Sequence, residues 1–317
     1  MSSFVGIDIA KDKFDVALLA DNKFKHKVFK NKQEGFVSFS VWLKRQHSQS
    51  FYFCMEASGV YGEDLALFLY KEGYTISIVN PARIKGFSQS ELSRTKTDKT
   101  DAKLIARFCQ AMQPKAWTPP LPEVRELQAI ARRIEALQNM RTQEVNRLHV
   151  ATPIVASSIK EHIEYLDIQI KETKKRACKH IDSHPHLKNK KELLCSIPGI
   201  GETTVSIILS EITSFEDFPN ARKLAAYVGL TPRQHSSGSS VRGKARLAKT
   251  GNAKLRKALY LPAIVAKKYN PIIIVFCERL TLAGKPKMAV IGAAMRKLLH
   301  IIFGVLKSGK PFCANSK

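Results

Sequence analysis

Residues 1–118 alternate short apolar runs with helical periodicities, and this alternation constrains the fold more than any other feature. FVGIDI and FDVALLA predict two strands of a hairpin, and FYFCME and YTISIVN predict two further strands. Helical patterns lie at residues 34–46, 60–72 and 100–112. A hairpin combined with β-α-β crossovers indicates an α/β sheet covered by helices.

The proline-rich stretch PKAWTPPLP at 114–122 ends this region and predicts a domain boundary. Two amphipathic patterns follow, interrupted at Pro153, and they predict two long helices paired as a hairpin or a coiled coil. An intramolecular pair and a dimerisation role are equally compatible with this pattern. The polar stretch 184–191 predicts a second boundary. We therefore expect three parts, the last of them mostly helical: residues 1–118, 119–185 and 186–317.

Four acidic residues occupy positions where a fold of this kind can bring them together. Asp8 lies within an apolar strand pattern, where burial of a carboxylate is costly unless a cation or hydrogen bonds compensate. Glu56 ends another strand pattern. Asp98 and Asp101 are three residues apart and share one face if a helix begins near Asp98.

Carboxylates gathered in this way repel one another, and a bound divalent cation reverses the repulsion. Two Mg²⁺ ions about 4 Å apart can activate an attacking oxygen and stabilise a leaving one. Each acid also has an ordinary structural explanation. Asp98 can cap the helix that contains Asp101, and Glu56 can be a solvated strand end.

The charge of the chain favours an anionic partner. Lys and Arg number 52 against 27 Asp and Glu, a formal net charge of +25, which favours nucleic acid or an anionic membrane. Apolar runs such as 272–277 are far shorter than the roughly 20 residues that span a bilayer, and the N-terminus does not resemble a signal peptide. The six cysteines form no CxxC pair, so we expect reduced thiols in a cytoplasmic protein that acts without a membrane.

The segment IPGIGETT predicts a helix-hairpin-helix-like turn. Pro198, Gly199 and Gly201 would form the turn, and backbone N–H groups at the following helix N-terminus would bind a phosphate without reading bases. An ordinary glycine-rich connection between helices is the structural alternative.

The loop QHSSGSSVRGKAR at 234–246 is rich in serine and glycine, a composition typical of a flexible surface turn. Its basic neighbours suggest more than a turn, because they can clamp a phosphate. These neighbours are Arg233, Arg242, Arg246 and Lys249.

The chain resembles the IS110-type transposases, a family that includes the Piv-type DNA invertases. The resemblance lies in the segments GIDIAKDKFDVAL, EASGVYG, VNPARIKGF and KTDKTDAKLIARF. The resemblance continues through IPGIGETTVSIILSEI, FPNARKLAAYVGLTP and HSSGSSVRGKARLAKTGNAKLRKALY, and so covers nearly the whole chain. All four acid positions match the D-E-D-D set of the family.

The resemblance implies a RuvC-like N-terminal domain with the ribonuclease H fold, whose acids Asp8, Glu56, Asp98 and Asp101 bind Mg²⁺, with Mn²⁺ as an alternative. It implies Ser237 as the nucleophile, with Ser236 as the less favoured neighbour. A serine hydroxyl needs an activator at neutral pH, and the metal-bound acids would provide it. The product would be a phosphoserine link to DNA that allows resealing without ATP.

The family further implies donor and target DNA as substrates, a guide RNA encoded by the element, a homodimer or tetramer, and association with the bacterial nucleoid. Three alternatives remain at this point. A Piv-type invertase would share the chemistry but invert a fixed segment. A hydrolytic nuclease of the Holliday-junction type would use the acids with water and leave Ser237 without a role. A non-catalytic nucleic-acid scaffold would need neither the acids nor Ser237 for its function.

Overall fold

The computed structural model describes residues 2–46, 48–57, 59–91, 97–233, 236–237, 241–242 and 246–314. Within these limits the chain forms two compact units, Met1–Pro119 and Pro120–Lys317. Each unit has its own hydrophobic core.

Among its described residues, the first unit contains five strands and four α-helices. In chain order these are β1 Ser2–Ile9, β2 Lys13–Ala20, β3 Lys23–Lys30, α1 Gln33–Lys44, β4 Ser50–Glu56, α2 Glu63–Lys71, β5 Thr75–Val79, α3 Pro81–Ser90 and α4 Asp98–Met112.

The five strands form one sheet with the order β3-β2-β1-β4-β5. β1 pairs antiparallel with β2 and parallel with β4, because a tight connection follows β1 whereas helices precede β4 and β5. The predicted α/β sheet covered by helices is confirmed. The edge strand β3, with the sequence KFKHKVFK, was not among the predicted strands.

The two faces of the sheet bury different kinds of side chain. Val5 and Ile7 of β1 point to a layer rich in aromatic side chains that includes Phe36 and Phe39 of α1 and Leu65 of α2. The alternate residues of β1 point to the opposite face, where α4 packs. This alternation follows from the two-residue period of a strand.

Close packing of α4 depends on a glycine in β1. A Cβ atom at Gly6 would lie 2.2 Å from the carbonyl oxygen of Ala102 and 2.2 Å from the backbone nitrogen of Ala106. The small residues Ala17, Ala102 and Ala106 form a buried cluster at this contact. Asp98 precedes Ala102 by one helical turn, so the same contact directs the start of α4 along β1 toward Asp8.

The proline-rich segment after α4 lies along the outer side of β5. The Trp117 backbone N–H donates to the Ile76 carbonyl oxygen at 2.7 Å. The Ser77 hydroxyl donates to the Pro114 carbonyl oxygen at 2.9 Å. This segment therefore supplies hydrogen bonds to an edge strand that would otherwise have one unpaired side.

The second unit is mostly helical, as predicted. Its elements are α5 Pro122–Leu148, α6 Pro153–Asp182, α7 Pro185–Cys195, α8 Glu202–Glu211, α9 Ala221–Val228, β6 Pro232–Arg233, β7 Ser236–Ser237, β8 Val241–Arg242, β9 Arg246–Leu247, α10 Ala253–Ala258, α11 Tyr260–Tyr269, α12 Pro271–Leu282 and α13 Lys287–Ser308.

The long helices α5 and α6 pack against each other within the chain. Leu137, Leu166 and Ile170 form a buried cluster between them. Arg141 donates two hydrogen bonds to the Asp167 carboxylate, from Nε at 2.6 Å and from Nη2 at 3.0 Å. The predicted pair of long helices is present, whereas their coiled-coil character and a dimerisation role stay predictions.

The helix α13 is the most apolar long element of the described chain. By length and composition it passes the test for a membrane span, and the bent pair formed by α10–α11 with α12 passes it only when counted as one span. Half of the apolar stretch of α13 is buried in the protein. Leu298, Leu299 and Ile302 are fully buried in the core of the second unit, which explains the apolar composition of the helix without a bilayer.

Candidate active site

Asp8 and Glu56 lie at the same edge of the sheet. In the parallel ladder of β1 and β4 the last paired residues are Ile7 and Met55, and the two acids follow directly. Neighbouring parallel strands end at one edge, so the register places these two carboxylates side by side. The strand order thus supplies two of the four predicted ligands.

Asp98 and Asp101 lie in the first turn of α4. The N-cap is Thr97, whose hydroxyl accepts from the Thr100 backbone N–H at 3.2 Å, while the Thr97 backbone N–H donates to the Thr100 hydroxyl at 2.8 Å. The alternative explanation of Asp98 as the helix cap is therefore wrong. The helix dipole favours negative charge in a first turn, so both acids are tolerated there without capping.

The pKa of Asp8 reports the charges of the other three predicted acids. The pKa of Asp8 is raised from 3.8 to about 6, mostly by burial and then by the charges of Asp101, Asp98 and Glu56, in decreasing order. These acids come from β1, β4 and α4. The charges of the other three predicted acids thus act on the half-buried Asp8, while the role of the four acids as metal ligands stays a prediction.

Three neighbours of this cluster were missed by sequence reasoning: Lys13, Asp15 and His26. The Lys13 ammonium donates to Asp98 Oδ2 at 2.7 Å and to Asp15 Oδ2 at 3.1 Å. Asp15 lies opposite Asp8 in the β1–β2 ladder, and its charge also raises the pKa of Asp8. The hydrogen bond from Lys13 lowers the pKa of Asp98. The sequence signal for Lys13 and Asp15 was their spacing of two residues, which places both side chains on the same face of a strand.

The four predicted acids fit a divalent cation by donor type, because Mg²⁺ prefers carboxylate oxygens. A cation would also relieve the repulsion that, together with burial, raises the pKa of Asp8. Over the part of the chain that the structure describes, no three His, Cys, Asp or Glu side chains are close enough to hold one ion. The chemistry of the donor set therefore fits a metal, while its coordination geometry is not formed.

The predicted nucleophile lies in the second unit. Ser236 and Ser237 form β7, whose backbone pairs antiparallel with β8, with Ser236 opposite Arg242 and Ser237 opposite Val241. Residues 234–235, 238–240 and 243–245 of the predicted loop lie outside the described residues. The backbone of Ser237 is thus placed in a short two-stranded ladder.

Two of the predicted basic residues face each other on a neighbouring ladder. Arg233 of β6 pairs with Arg246 of β9, and both are exposed. Like charges directly opposite each other in an antiparallel pair are unfavourable unless an anion lies between them. Lys249, also exposed, follows with a left-handed backbone at φ 57°. This arrangement suits a phosphate.

The predicted turn at Pro198, Gly199 and Gly201 connects α7 with α8. Gly199 has φ +102°, and a Cβ there would lie 2.8 Å from the Ala266 side chain of α11, so the turn packs tightly on that helix. Gly201 is the N-cap of α8, and the adjacent Glu202 accepts a hydrogen bond from Lys191. That carboxylate places negative charge where a phosphate was predicted.

Two family models match the chain, and both describe transposases of the IS110 type. A family model for the DEDD transposases of the IS110 type, described as "Transposase", matches residues 5–152. A second model, described as "Transposase IS116/IS110/IS902 family", matches residues 191–277. Together the two matches cover more than half of the chain.

Comparison with individual proteins gives full-length and partial relatives. The chain is 33% identical over 314 residues to the pilin gene-inverting protein of Moraxella bovis, covering 98% of this chain and 97% of that protein. It is 24% identical over 220 residues to the transposase for insertion sequence element IS1328 of Yersinia enterocolitica, covering 59% and 62%. Among solved structures, RuvC of T. thermophilus in complex with Holliday junction substrate aligns at TM-score 0.29 and 12% identity, over 37% of this chain and 100% of that one.

Proposed function

The chain belongs to the IS110 family of transposases, enzymes that cleave and rejoin DNA, and from this premise we propose that it does so through a phosphoserine intermediate formed by Ser237. In this proposal Asp8, Glu56, Asp98 and Asp101 hold the metal. The observation that carries it is the register of β1 and β4, which places Asp8 and Glu56 at one sheet edge, where the charges of Asp101 and Asp98 also act on the Asp8 carboxyl.

Divalent-metal dependence is supported by the DEDD family match and by the donor set. Mg²⁺, with Mn²⁺ as the alternative, would neutralise phosphate charge and lower the pKa of the attacking hydroxyl when bound. The protein contributes the position of the acids. β1 and β4 fix Asp8 and Glu56 at one sheet edge, and the approach of α4 to Gly6 brings its first turn to them.

The serine step breaks one bond for each bond it forms. The Ser237 hydroxyl oxygen attacks a backbone phosphorus, its proton leaves to a base, and the bond from phosphorus to one deoxyribose oxygen breaks, so that this oxygen takes up a proton and becomes a free DNA hydroxyl. The freed DNA hydroxyl later attacks the phosphoserine and releases the serine. Since the number of phosphoester bonds is conserved, resealing requires no nucleotide hydrolysis.

Phosphate binding near Ser237 is assigned to Arg233, Arg242, Arg246 and Lys249. The facing pair Arg233 and Arg246 supports this role most directly, since an anion between them would remove their repulsion. The turn formed by Pro198, Gly199 and Gly201 would bind a phosphate through its backbone N–H groups, independently of the base sequence. The nearby Glu202 carboxylate makes it the weaker of the two contacts.

The finer fold assignment is also part of the proposal. A sheet in the order β3-β2-β1-β4-β5, with an antiparallel hairpin followed by parallel strands, supports a ribonuclease H fold of the RuvC type. The α7–α8 connection supports a helix-hairpin-helix-like motif. Functionally, we divide the chain into three parts: the catalytic residues 1–118, the helical linker 119–185 and the C-terminal residues 186–317, which carry Ser237.

The partners follow from the family. DNA is the substrate, and a guide RNA would explain how a chain of net charge +25 selects sites without a recognisable base-reading motif. Strand exchange requires several active sites, so we propose a homodimer or a tetramer. We propose a cytoplasmic, nucleoid-associated protein that works without a membrane.

A covalent-adduct assay tests the serine. Labelled donor DNA is incubated with protein and Mg²⁺, and the products are separated on a denaturing gel before and after protease treatment. We expect a protease-sensitive adduct with wild type and Ser236→Ala, and none with Ser237→Ala or Asp8→Asn. Cleavage at the wild-type rate by Ser237→Ala, without an adduct, would instead establish hydrolysis by the acids.

A second candidate is inversion of a fixed DNA segment. The similarity to a protein named for gene inversion favours it, because that protein is 33% identical over 97% of its length, whereas the IS1328 transposase is 24% identical over 62% of its length. The chemistry would be the same, so the surrounding DNA decides. An invertible segment beside the gene would support inversion, and element ends with a structured noncoding segment would support transposition.

A further inference from the structure

Lys13 links the sheet to the helix that carries two of the proposed metal ligands. It is the first residue of β2, and its ammonium donates to Asp98 Oδ2 at 2.7 Å, a contact between residues 85 positions apart. The same ammonium donates to Asp15 Oδ2 at 3.1 Å. Lys13 therefore lies between one acid of the proposed metal site and one acid outside it.

Asp15 is held independently of Lys13. Its carboxylate is 6% exposed, and Oδ1 lies 2.9 Å from His26 Nε2 on β3. An ionised carboxylate only accepts hydrogen bonds, so the His26 Nε2 position carries the proton. Asp15 is thus a fixed hydrogen-bond acceptor for the Lys13 ammonium, and it remains available when the contact between Lys13 and Asp98 is broken.

The contact between Lys13 and Asp98 is accessible and separable. The side chains are 47% and 56% exposed, and the lysine stem is flexible. A divalent cation held by Asp98 would lie a few ångströms from the ammonium and be repelled by it. Removing one unit charge at such a distance changes cation affinity by about tenfold, even at a water-like dielectric constant.

We propose that Lys13 is a positioning residue that serves as the built-in counter-ion of Asp98. It holds that carboxylate in the metal-free enzyme, and it moves fully to Asp15 when a divalent cation binds. The inference rests on the proposed metal site. It adds that metal affinity is set partly by competition with a side chain of the protein itself.

The test is a titration with Mn²⁺ alone, in which free ion is measured by electron paramagnetic resonance on the full-length protein without DNA. We expect Lys13→Gln to bind Mn²⁺ about tenfold more tightly than wild type, and Lys13→Arg, which keeps the charge, to match wild type within about twofold. Lys25→Gln is the matched control, because Lys25 is an exposed lysine of the same sheet whose ammonium donates to Gln46. It should leave the affinity unchanged.

The inference is overturned if Lys13→Gln binds Mn²⁺ no more tightly than Lys25→Gln. Lys13→Ala provides a second variant in case the glutamine amide bridges the two acids, and the same tightening is expected. Asp8→Asn separates this failure from failure of the metal site itself. If Asp8→Asn binds Mn²⁺ as wild type does, the proposed site is wrong and the role of Lys13 is rejected with it.

Discussion

Gly6 and Ala102 are in direct backbone contact across the interface between sheet and helix. A Cβ atom at residue 6 would lie 2.2 Å from the Ala102 carbonyl oxygen, well inside van der Waals contact. No side-chain rotation can relieve this overlap, because the opposing atom belongs to the backbone of a helix. The absence of one methyl group therefore fixes how closely α4, with Asp98 and Asp101, approaches Asp8.

We expect Gly6→Ala to destabilise the first unit by about 2–3 kcal/mol, because α4 has to move away from the sheet. It should also weaken Mn²⁺ binding, since the first turn of α4 moves with the helix. Gly86→Ala in α3 is the control, because a Cβ there meets nothing within 4 Å. Urea unfolding and metal titration of both variants check the prediction, and equal stability of the two would contradict it.

The raised pKa of Asp8 predicts a pH-dependent stability in the absence of metal. The native carboxyl titrates near 6 instead of 3.8, so the native state retains a proton that the unfolded chain has released between these values. Raising the pH from about 4 to above 6 therefore lowers the free energy of unfolding. For a half-buried carboxyl we expect a loss of about 1–2 kcal/mol after solvent screening.

Asp8→Asn removes this titration. In EDTA the variant should unfold with the same free energy as wild type near pH 4, and be more stable by about 1–2 kcal/mol at about pH 7.5. Asp21→Asn, in the β2–β3 turn where Asn tolerates the φ of 50°, should show the wild-type pH dependence. Added Mg²⁺ should raise the melting temperature of wild type and not that of Asp8→Asn.

The facing arginines predict opposite effects on stability and on DNA binding. Arg246→Gln removes the repulsion with Arg233, so the free energy of unfolding should stay constant or rise by a few tenths of a kcal/mol. DNA affinity should fall, and the slope of log affinity against log salt should decrease by about 1. Lys310→Gln, an exposed residue beyond α13, should change the slope less. An unchanged slope in Arg246→Gln would remove this residue from the phosphate contacts.

Asn270 caps α12 in a fully buried position. Its side-chain oxygen accepts from the backbone N–H groups of Ile272 and Ile273, and its amide donates to the Pro198 carbonyl oxygen. We expect Asn270→Ala to cost about 2–3 kcal/mol, since buried N–H groups lose their acceptor. Asn220→Ala at the exposed cap of α9 should cost about 1 kcal/mol. Thermal unfolding of both variants measures the difference.

The sequence predicts the part of the fold in which local pattern and burial agree. β1, β2, β4 and β5 are apolar enough for their strand periodicity to be visible, and Asp8 and Glu56 were placed correctly within a strand and at a strand end. The start of α4 was also predicted, although its cap is Thr97. The roles of these acids, and of Ser237, stay predictions.

The missed features all depend on partners distant in sequence. β3 carries four lysines, and its strand structure comes from pairing with β2 and from the buried Phe29. Asp15 resembles a solvated residue in the sequence, yet it is buried because His26 and Lys13 supply its hydrogen bonds. Such pairings become visible only when the register of the strands is known.

The two outer strands of the sheet are protected in different ways. β3 presents lysines along its length, and their mutual repulsion opposes the approach of the same strand from another molecule. β5 is covered by residues 114–117 through the hydrogen bond from Trp117 to Ile76. The segment 114–117, which in sequence resembles a simple interdomain linker, therefore also opposes aggregation. Deleting or lengthening it would expose the unpaired hydrogen-bonding edge of β5 to other chains.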